Sequence, residues 1–416
     1  MIRAHPLLAE RPEEFELAFR RMGLPTPARE YLLEKLPQYR LLLTGLTKVE
    51  GRFLKGLFEA SIAPGREEFP VYVSGDPRKR LGSGLLTGRR EQFERLISAA
   101  SADPELAGLA EALARGLGSV AAPAPLTLGG RTFTFGARTY VMGVVNVTPD
   151  SFSDGGRYAS PDAAIAHGLK LAEAGADVLD VGGESTRPRA QPISPDEELA
   201  RVLPVIEGLR ARTQVPLSVD TTKAAVAREA LKAGAVLIND ISGFHFDPEL
   251  PRVVAEARAA CCLMHIQGTP ETMQQAPHYE DILDEVLAFL EEGVARAVAA
   301  GVARESILVD PGIGFGKTLG HNLFLLRRLG DLRVLGLPVL VGTSRKGFLG
   351  VLTGGKPAHE RLAATLGSVA AVAALGGADF VRVHDVEEAR EALAVSHAIR
   401  AASDGGSLYG TPKVGG

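Results

Sequence analysis

Cysteine is nearly absent: the 416 residues include two, Cys261 and Cys262, adjacent to each other in an apolar run. Neighbouring cysteines form only a strained disulfide and lack metal-ligand spacing, so buried reduced thiols are expected. Long hydrophobic runs are also missing. No stretch approaches the roughly 20 uninterrupted apolar residues of a membrane span, and the N-terminus has no signal-peptide pattern. A cytoplasmic location without a membrane partner is therefore expected. The chain has no large excess of one charge. Its formal net charge is -4 with the signs interspersed, which argues against bulk nucleic-acid binding and leaves anionic ligands to local sites. Apolar residues are plentiful at 45%, and the length is large for one core, so a large catalytic domain with a smaller companion is expected.

Residues 116–125 (GLGSVAAPAP) are small, uncharged and proline-bearing, and read as a linker. The organisation expected is a mostly helical domain over 1–120, a second domain over 126–402 and a flexible tail over 403–416. In the first region, helical apolar spacing covers 11–22, 27–36, 90–100 and 105–117, with a short strand at 69–73. Nothing there looks catalytic: the piece GSGLLTG from Gly82 lacks the Lys-Ser/Thr ending of a phosphate loop.

After a hairpin pattern (LTLGGRTFTFG, from Leu126), β-branched runs alternate with alanine- and leucine-rich segments of helical length. Eight runs qualify as strands: TYVMGVVNV from Thr139, DVLDVG from Asp177, PLSVDT from Pro216, VLINDI from Val236, CCLMHI from Cys261, ILVDPG from Ile307, PVLVGTS from Pro338 and FVRVHD from Phe380. Each is apolar on both faces, as strands enclosed by helices must be. Eight βα units predict a closed (β/α)8 TIM barrel, an α/β fold. Polar residues gather at the strand C-terminal ends: Asn146, Asp180, Asp220, Asn239 with Asp240, His265, Asp310, Ser344, and Arg382 with His384. A barrel keeps its active site on that face, so these predict one shared bowl.

The loops after the first two strands, NVTPDSFSDGGRY and GGESTRPRAQPISPDEE, are longer than connectors need, and the second holds Ser185, Thr186, Arg187 and Arg189. Hydroxyls and guanidinium forks suit a phosphate-bearing substrate. Asp220, Asn239 and Asp310 complement a flat heterocycle with an amino-pyrimidinone edge, whose ring N-H and exocyclic amine need oxygen acceptors. Lys346 adds a cation for a ring carbonyl. Arg382 and His384, two apart on one strand, project to the same side and predict a cationic patch for a departing diphosphate. The glycine-dense DPGIGFGK, from Asp310, fits neither the Walker nor the Rossmann spacing, which disfavours a nucleoside-triphosphate site.

Together MGVVNVTPDSFSDGG, DVLDVGGESTRP, SVDTTKAAVAREAL, LINDISG, LMHIQGTP, DPGIGFGK, TSRKG and RVHDV resemble the dihydropteroate synthase family, in that family's order, over about residues 126–400. The resemblance implies that p-aminobenzoate is joined to a dihydropterin methyl carbon with loss of pyrophosphate, on a (β/α)8 barrel. It implies Asn146 as ligand of an Mg2+ that also touches the diphosphate, with Thr186, Arg382 and His384 holding that group. Asp220, Asn239, Asp310 and Lys346 match the pterin set. Ser185, Arg187 and Phe315 match the p-aminobenzoate region, and Asp154 matches a first-loop acid that steadies a charged intermediate. In the implied mechanism pyrophosphate leaves first, clamped by Mg2+, Arg382 and His384, and the arylamine then attacks a pterin methyl cation. Partners implied are small molecules and a second copy, as a homodimer; the apolar run at 365–377 could supply that surface or equally be a helix packed on the barrel. The chain departs from the family at Gly347, where serine is frequent, and at Arg189, where glycine is common. A corrinoid-dependent pterin methyltransferase shares the Asp and Asn contacts but not the phosphate-handling loops, the lysine or the Arg-x-His pair. A non-catalytic pterin-binding or scaffold barrel is the other rival, and the intact charged set argues against it.

Overall fold

The computed structural model describes residues 39–61, 69–74, 82–117, 122–148 and 160–401. These fall into two compact units divided between residues 121 and 122. In the first, β1 (Tyr39–Leu46), β2 (Val71–Ser74) and β3 (Gly82–Gly88) form an antiparallel sheet in the order β1-β3-β2. The helices α1 (Lys48–Ser61), α2 (Arg90–Ser101) and α3 (Ala107–Gly116) complete it. Leu43, Leu54, Leu86, Phe93, Leu96, Leu109 and Leu113 make its core. The expected strand at 69–73 overlaps β2, and α2 and α3 follow the helical spacing. The helices read at 11–22 and 27–36 lie outside the described residues. The sheet exceeds the sequence expectation, because β3 is the glycine-rich piece that strand propensity rejects. Its glycines make room for neighbours: a Cβ on Gly84 would lie 2.3 Å from the Tyr72 ring, and one on Gly88 3.1 Å from Pro70 Cα.

The second unit opens with a hairpin, β4 (Leu126–Leu128) and β5 (Arg131–Phe133), turned by Gly129 and Gly130 with φ of 55° and 86°. Two successive positive φ values match the right-handed twist of the strands, which explains the Gly-Gly pair. Eight parallel strands follow: β6 (Tyr140–Asn146), β7 (Val178–Gly182), β8 (Leu217–Asp220), β9 (Leu237–Asp240), β10 (Ala260–Met264), β11 (Ile307–Asp310), β12 (Leu340–Val341) and β13 (Phe380–Val383). They pair in the order β11-β10-β9-β8-β7-β6-β13-β12, and a parallel bridge between Val309 and Val339 closes the ring. All eight expected strands are present.

The helices outside the ring are α4 (Pro161–Glu173), α5 (Pro195–Arg210), α6 (Ala224–Ala233), α7 (Leu250–Glu256), α8 (Ile282–Ala299), α9 (Leu319–Arg327), α10 (Gly347–Leu352), α11 (Leu362–Ala374) and α12 (Val386–Ala401). Starts are set by capping: Ser160 and Ser194 each accept the N-H three residues on, with proline next in the chain. Strand alternation supplies two cores. Val141, Leu179, Val219, Ile238, Leu263, Val309 and Val381 face the helices. Met142, Val178, Leu237, Cys262, Leu308, Leu340 and Phe380 point inward and meet Leu126, Leu128 and Phe133 of the hairpin, which plugs the N-terminal mouth. The ring of Phe133 lies 4.9 Å from that of Tyr140 and 5.4 Å from that of Phe380. With one mouth sealed by apolar packing, the polar strand ends face the other. Cys261 and Cys262 are both buried and unpaired, as expected. No helix among the described residues is long and apolar enough to cross a membrane.

Candidate active site

The two-residue period decides which strand-end residues reach the bowl. On β7, Val178 is inward and Leu179 outward, so Asp180 is inward; the same count turns Asp220, Asn239, Asp310 and Arg382 inward. It turns Asp240 outward, which corrects its place among the converging groups. The Asp240 carboxylate instead accepts from the N-H of Ser242 (2.8 Å), the N-H of Phe244 (2.6 Å) and the Ser242 hydroxyl (2.9 Å), and so shapes the loop after β9.

At the centre, Arg382 donates from Nε to Asp180 Oδ2 (2.6 Å) and from Nη2 to Asp220 Oδ2 (2.8 Å). Asn239 donates from Nδ2 to the same Asp180 oxygen at 3.0 Å. That bond orients the amide: with its nitrogen on Asp180, the Asn239 oxygen is left as an acceptor. Asp180 is fully buried, and its Oδ1 has no partner among the described residues. Burial pushes the Asp220 carboxyl up to about 7; the Arg382 guanidinium opposes this and the Asp180 charge adds to it. The expected cationic patch needs revision. Two carboxylates already neutralise Arg382, and burial, reinforced by Arg345 and Arg382, lowers His384 to about 3 and keeps it uncharged.

Across the bowl, Asp310 accepts the Gly312 N-H at 2.7 Å through Oδ1. Its carboxyl is raised by burial, with Lys346 opposing. Lys346 Nζ sits 4.3 Å over the Phe315 ring and donates to the Ile313 carbonyl. Burial lowers it to about 8, against the pull of Asp310. Asp310, Lys346 and Phe315 thus lie together, Phe315 beside the lysine and not apart from it in a separate pocket, and Asp220 and Arg382 also act electrostatically on Lys346.

Ser185 and Thr186 are half-buried and Arg187 is exposed, all in the loop after β7. Lys223 anchors the root of this loop between Glu184 and the fully buried Glu198. Farther along, Arg189 takes φ 69° and donates its N-H to Pro270 O at 3.0 Å. Left-handed backbone suits glycine and strains arginine, which explains why glycine is at home at this position. Asp154 lies outside the described residues. Gly347 begins α10 with open space where its Cβ would be.

Asn146 ends β6 half-buried, with Oδ1 3.9 Å from where a Cβ on Gly182 would stand. Asn146 and His384 also line one cavity of about 280 Å³, with His167, Lys170 and Arg345. His384 Nδ1 meets the Ser344 hydroxyl at 2.9 Å, and that oxygen accepts the His384 N-H at 3.3 Å. Among the described residues no three His, Cys, Asp or Glu side chains cluster as metal ligands. A single amide oxygen suits a magnesium ion that keeps water and takes its other ligands from substrate phosphates.

Two residues hold more of the site than their motifs suggest. Asp180 reads in sequence as a strand-end acid, although its place between apolar neighbours is a usable signal. Lys317 reads as the last residue of DPGIGFGK, and nothing in the sequence marks it as buried.

The pterin binding enzyme family model matches residues 142–384. Dihydropteroate synthase of Synechocystis is 47% identical over 277 residues, covering 67% of this chain and 96% of that protein. The Escherichia coli K12 enzyme is 48% identical over 265 residues, covering 64% and 93%. Among solved structures, Yersinia pestis dihydropteroate synthase in a sulfonamide drug complex aligns with a TM-score of 0.64 at 45% identity, over 67% of this chain and all of that one. The Xanthomonas albilineans enzyme in complex with 7,8-dihydropteroate aligns at 0.61 and 45%, over 67% and 100%. Barrel, inward polar layer and relatives agree: this chain belongs to the dihydropteroate synthase family of pterin-binding enzymes.

Proposed function

We propose that the barrel condenses 6-hydroxymethyl-7,8-dihydropterin diphosphate with p-aminobenzoate, giving 7,8-dihydropteroate and pyrophosphate in folate biosynthesis, with the following division of labour. The observation that carries it is the set Asp220, Asn239, Asp310 and Lys346, in which Asp180 holds the Asn239 nitrogen and leaves its oxygen to accept. The pterin N-H and amine donors meet Asp220, Asn239 and Asp310, and its carbonyl meets Lys346. As the pterin edge takes Asp220, Arg382 keeps its hold on Asp180 and gains freedom to meet the diphosphate together with Thr186. Neutral His384, its Nδ1 on the Ser344 hydroxyl, carries its proton on Nε2 and donates it as a hydrogen bond. Mg2+ held by Asn146 supplies, when bound, charge that stabilises the leaving diphosphate. The carbon-oxygen bond breaks, the electron pair leaves with pyrophosphate, and the negative charge of Asp220, with that of the first-loop Asp154, stabilises the pterin methyl cation. The arylamine nitrogen then forms the carbon-nitrogen bond and loses a proton to water; Ser185, Arg187 and Phe315 flank it.

Labelled p-aminobenzoate tests the reading. The label is expected to enter dihydropteroate with the pterin diphosphate and not with the pterin alcohol. Incorporation from the alcohol, or methyl transfer from methyltetrahydrofolate, contradicts it.

The same reading makes the enzyme a cytoplasmic homodimer. Exposed Leu375, Val395 and Ile399 at the end of α11 and on α12 support a paired surface. The described residues of 1–120 show no polar constellation, and the region serves as a docking or oligomerisation module. Deleting them should change mass or partners and leave the barrel's turnover intact; unchanged mass and partners refute that role.

A further inference from the structure

The DPGIGFGK segment is held in an unusual way. Gly312, Gly314 and Gly316 have φ of 67°, 85° and 65°, conformations that glycine adopts without strain. A Cβ on Gly312 would lie 1.8 Å from His265 O, and one on Gly316 2.7 Å from Gln267 O, so this backbone is pressed against the end of β10. Four successive carbonyls are each taken by a side chain, three from outside the segment and one, Lys317, from its own last residue. Ile313 O receives Lys346. Gly314 O receives Gln274 Nε2 at 2.8 Å, Phe315 O receives Lys317 Nζ at 3.0 Å, and Gly316 O receives the Tyr279 hydroxyl at 2.7 Å.

Of these donors Lys317 alone is both deeply buried and outside the pterin set. It is 3% exposed, and its Nζ also meets His265 Nδ1 at 2.8 Å. Burial, with Lys317 adding to it, lowers His265 to about 2, so the ring is neutral and accepts. Burial likewise pushes the Lys317 amine well below the ordinary lysine range. Placing an amine there costs desolvation, and two hydrogen bonds to one strand end and one loop carbonyl offset it. What depends on it is local: the carbonyl that Lys317 holds is that of Phe315, so the lysine fixes the backbone from which that ring projects.

We propose that Lys317 is a positioning residue for the arylamine side of the site, tying the Phe315 carbonyl to His265 so that the Phe315 ring is held fixed beside the arylamine. The inference rests on the placement of p-aminobenzoate beside Phe315. Lys317→Met removes the donor and keeps most of the chain's shape. Steady-state kinetics should then show KM for p-aminobenzoate raised at least tenfold, while the dissociation constant of the pterin diphosphate stays within about threefold. A merely structural lysine would lower the melting temperature and leave that split absent. Equal losses for both substrates, or none, overturn the proposal. Tyr279→Phe, at a half-buried position, reads the same loop if the first variant does not fold; a threefold rise in the same KM is expected, and no rise overturns it. Wild-type protein without turnover would refute the functional reading instead, so the two failures are separable.

Discussion

Arg382→Met should destabilise the barrel by an amount that depends on pH. Arg382 bridges Asp180, fully buried, and Asp220, 10% exposed, at 2.6 Å and 2.8 Å. Removing one partner of a buried pair costs about 3–5 kcal/mol, because the remaining charge is left unpaired. The Asp220 pKa of about 7 is raised from 3.8, so the stability linked to its neutral form is complete below about pH 4 and lost as pH rises through 7. Without Arg382, which opposes the rise, Asp220 titrates higher still, and more stability is lost at pH 8 than at pH 5.5. Thermal unfolding of wild type and variant at both pH values measures this. At about 2–4 °C per kcal/mol for a domain of this size, the gap at pH 8 should be on the order of 10 °C, and clearly smaller at pH 5.5. An equal gap at both pH values, or none at pH 8, refutes the account of a buried, charge-balanced centre.

Turnover should have a narrow pH window. In the free enzyme kcat/KM for the pterin should fall on the acid side near 7, as Asp220 protonates, and on the alkaline side near 8, as Lys346 loses its charge. Asp220→Asn should remove the acid limb along with most activity, and a profile flat from pH 6 to 9 in wild type contradicts the assignment. Arg189→Gly relieves a left-handed arginine and should stabilise by about 1 kcal/mol, read as a higher melting temperature; a lower one refutes the strain. Cys261 and Cys262 should resist a thiol reagent until the barrel unfolds, since both are fully buried and burial raises both thiols; labelling under native conditions contradicts that placement.

The barrel was legible because its signals are local and repeated: apolar runs of strand length, helical segments between them and Ser-Pro starts. The pterin set was legible because strand alternation and the family resemblance point to the same side chains. Three things needed coordinates. Asn239 and Asp240 are neighbours, and only the inward-outward register separates a ligand contact from a loop brace. The neutrality of His384 and the neutralised Arg382 follow from burial and from Asp180, which lies 202 residues away from Arg382 in sequence. The strand at Gly82–Gly88 depends on Tyr72 covering Gly84, a cross-strand fit that propensity does not register.

Pyrophosphate release tests the central claim most directly, using the full-length chain with hydroxymethyldihydropterin diphosphate, magnesium and p-aminobenzoate, beside a Lys346→Ala control. The account predicts release that requires p-aminobenzoate, matches dihydropteroate one for one and collapses in the variant. Pterin binding without release, in folded and magnesium-loaded protein, would contradict it and leave a binding barrel without the family's reaction.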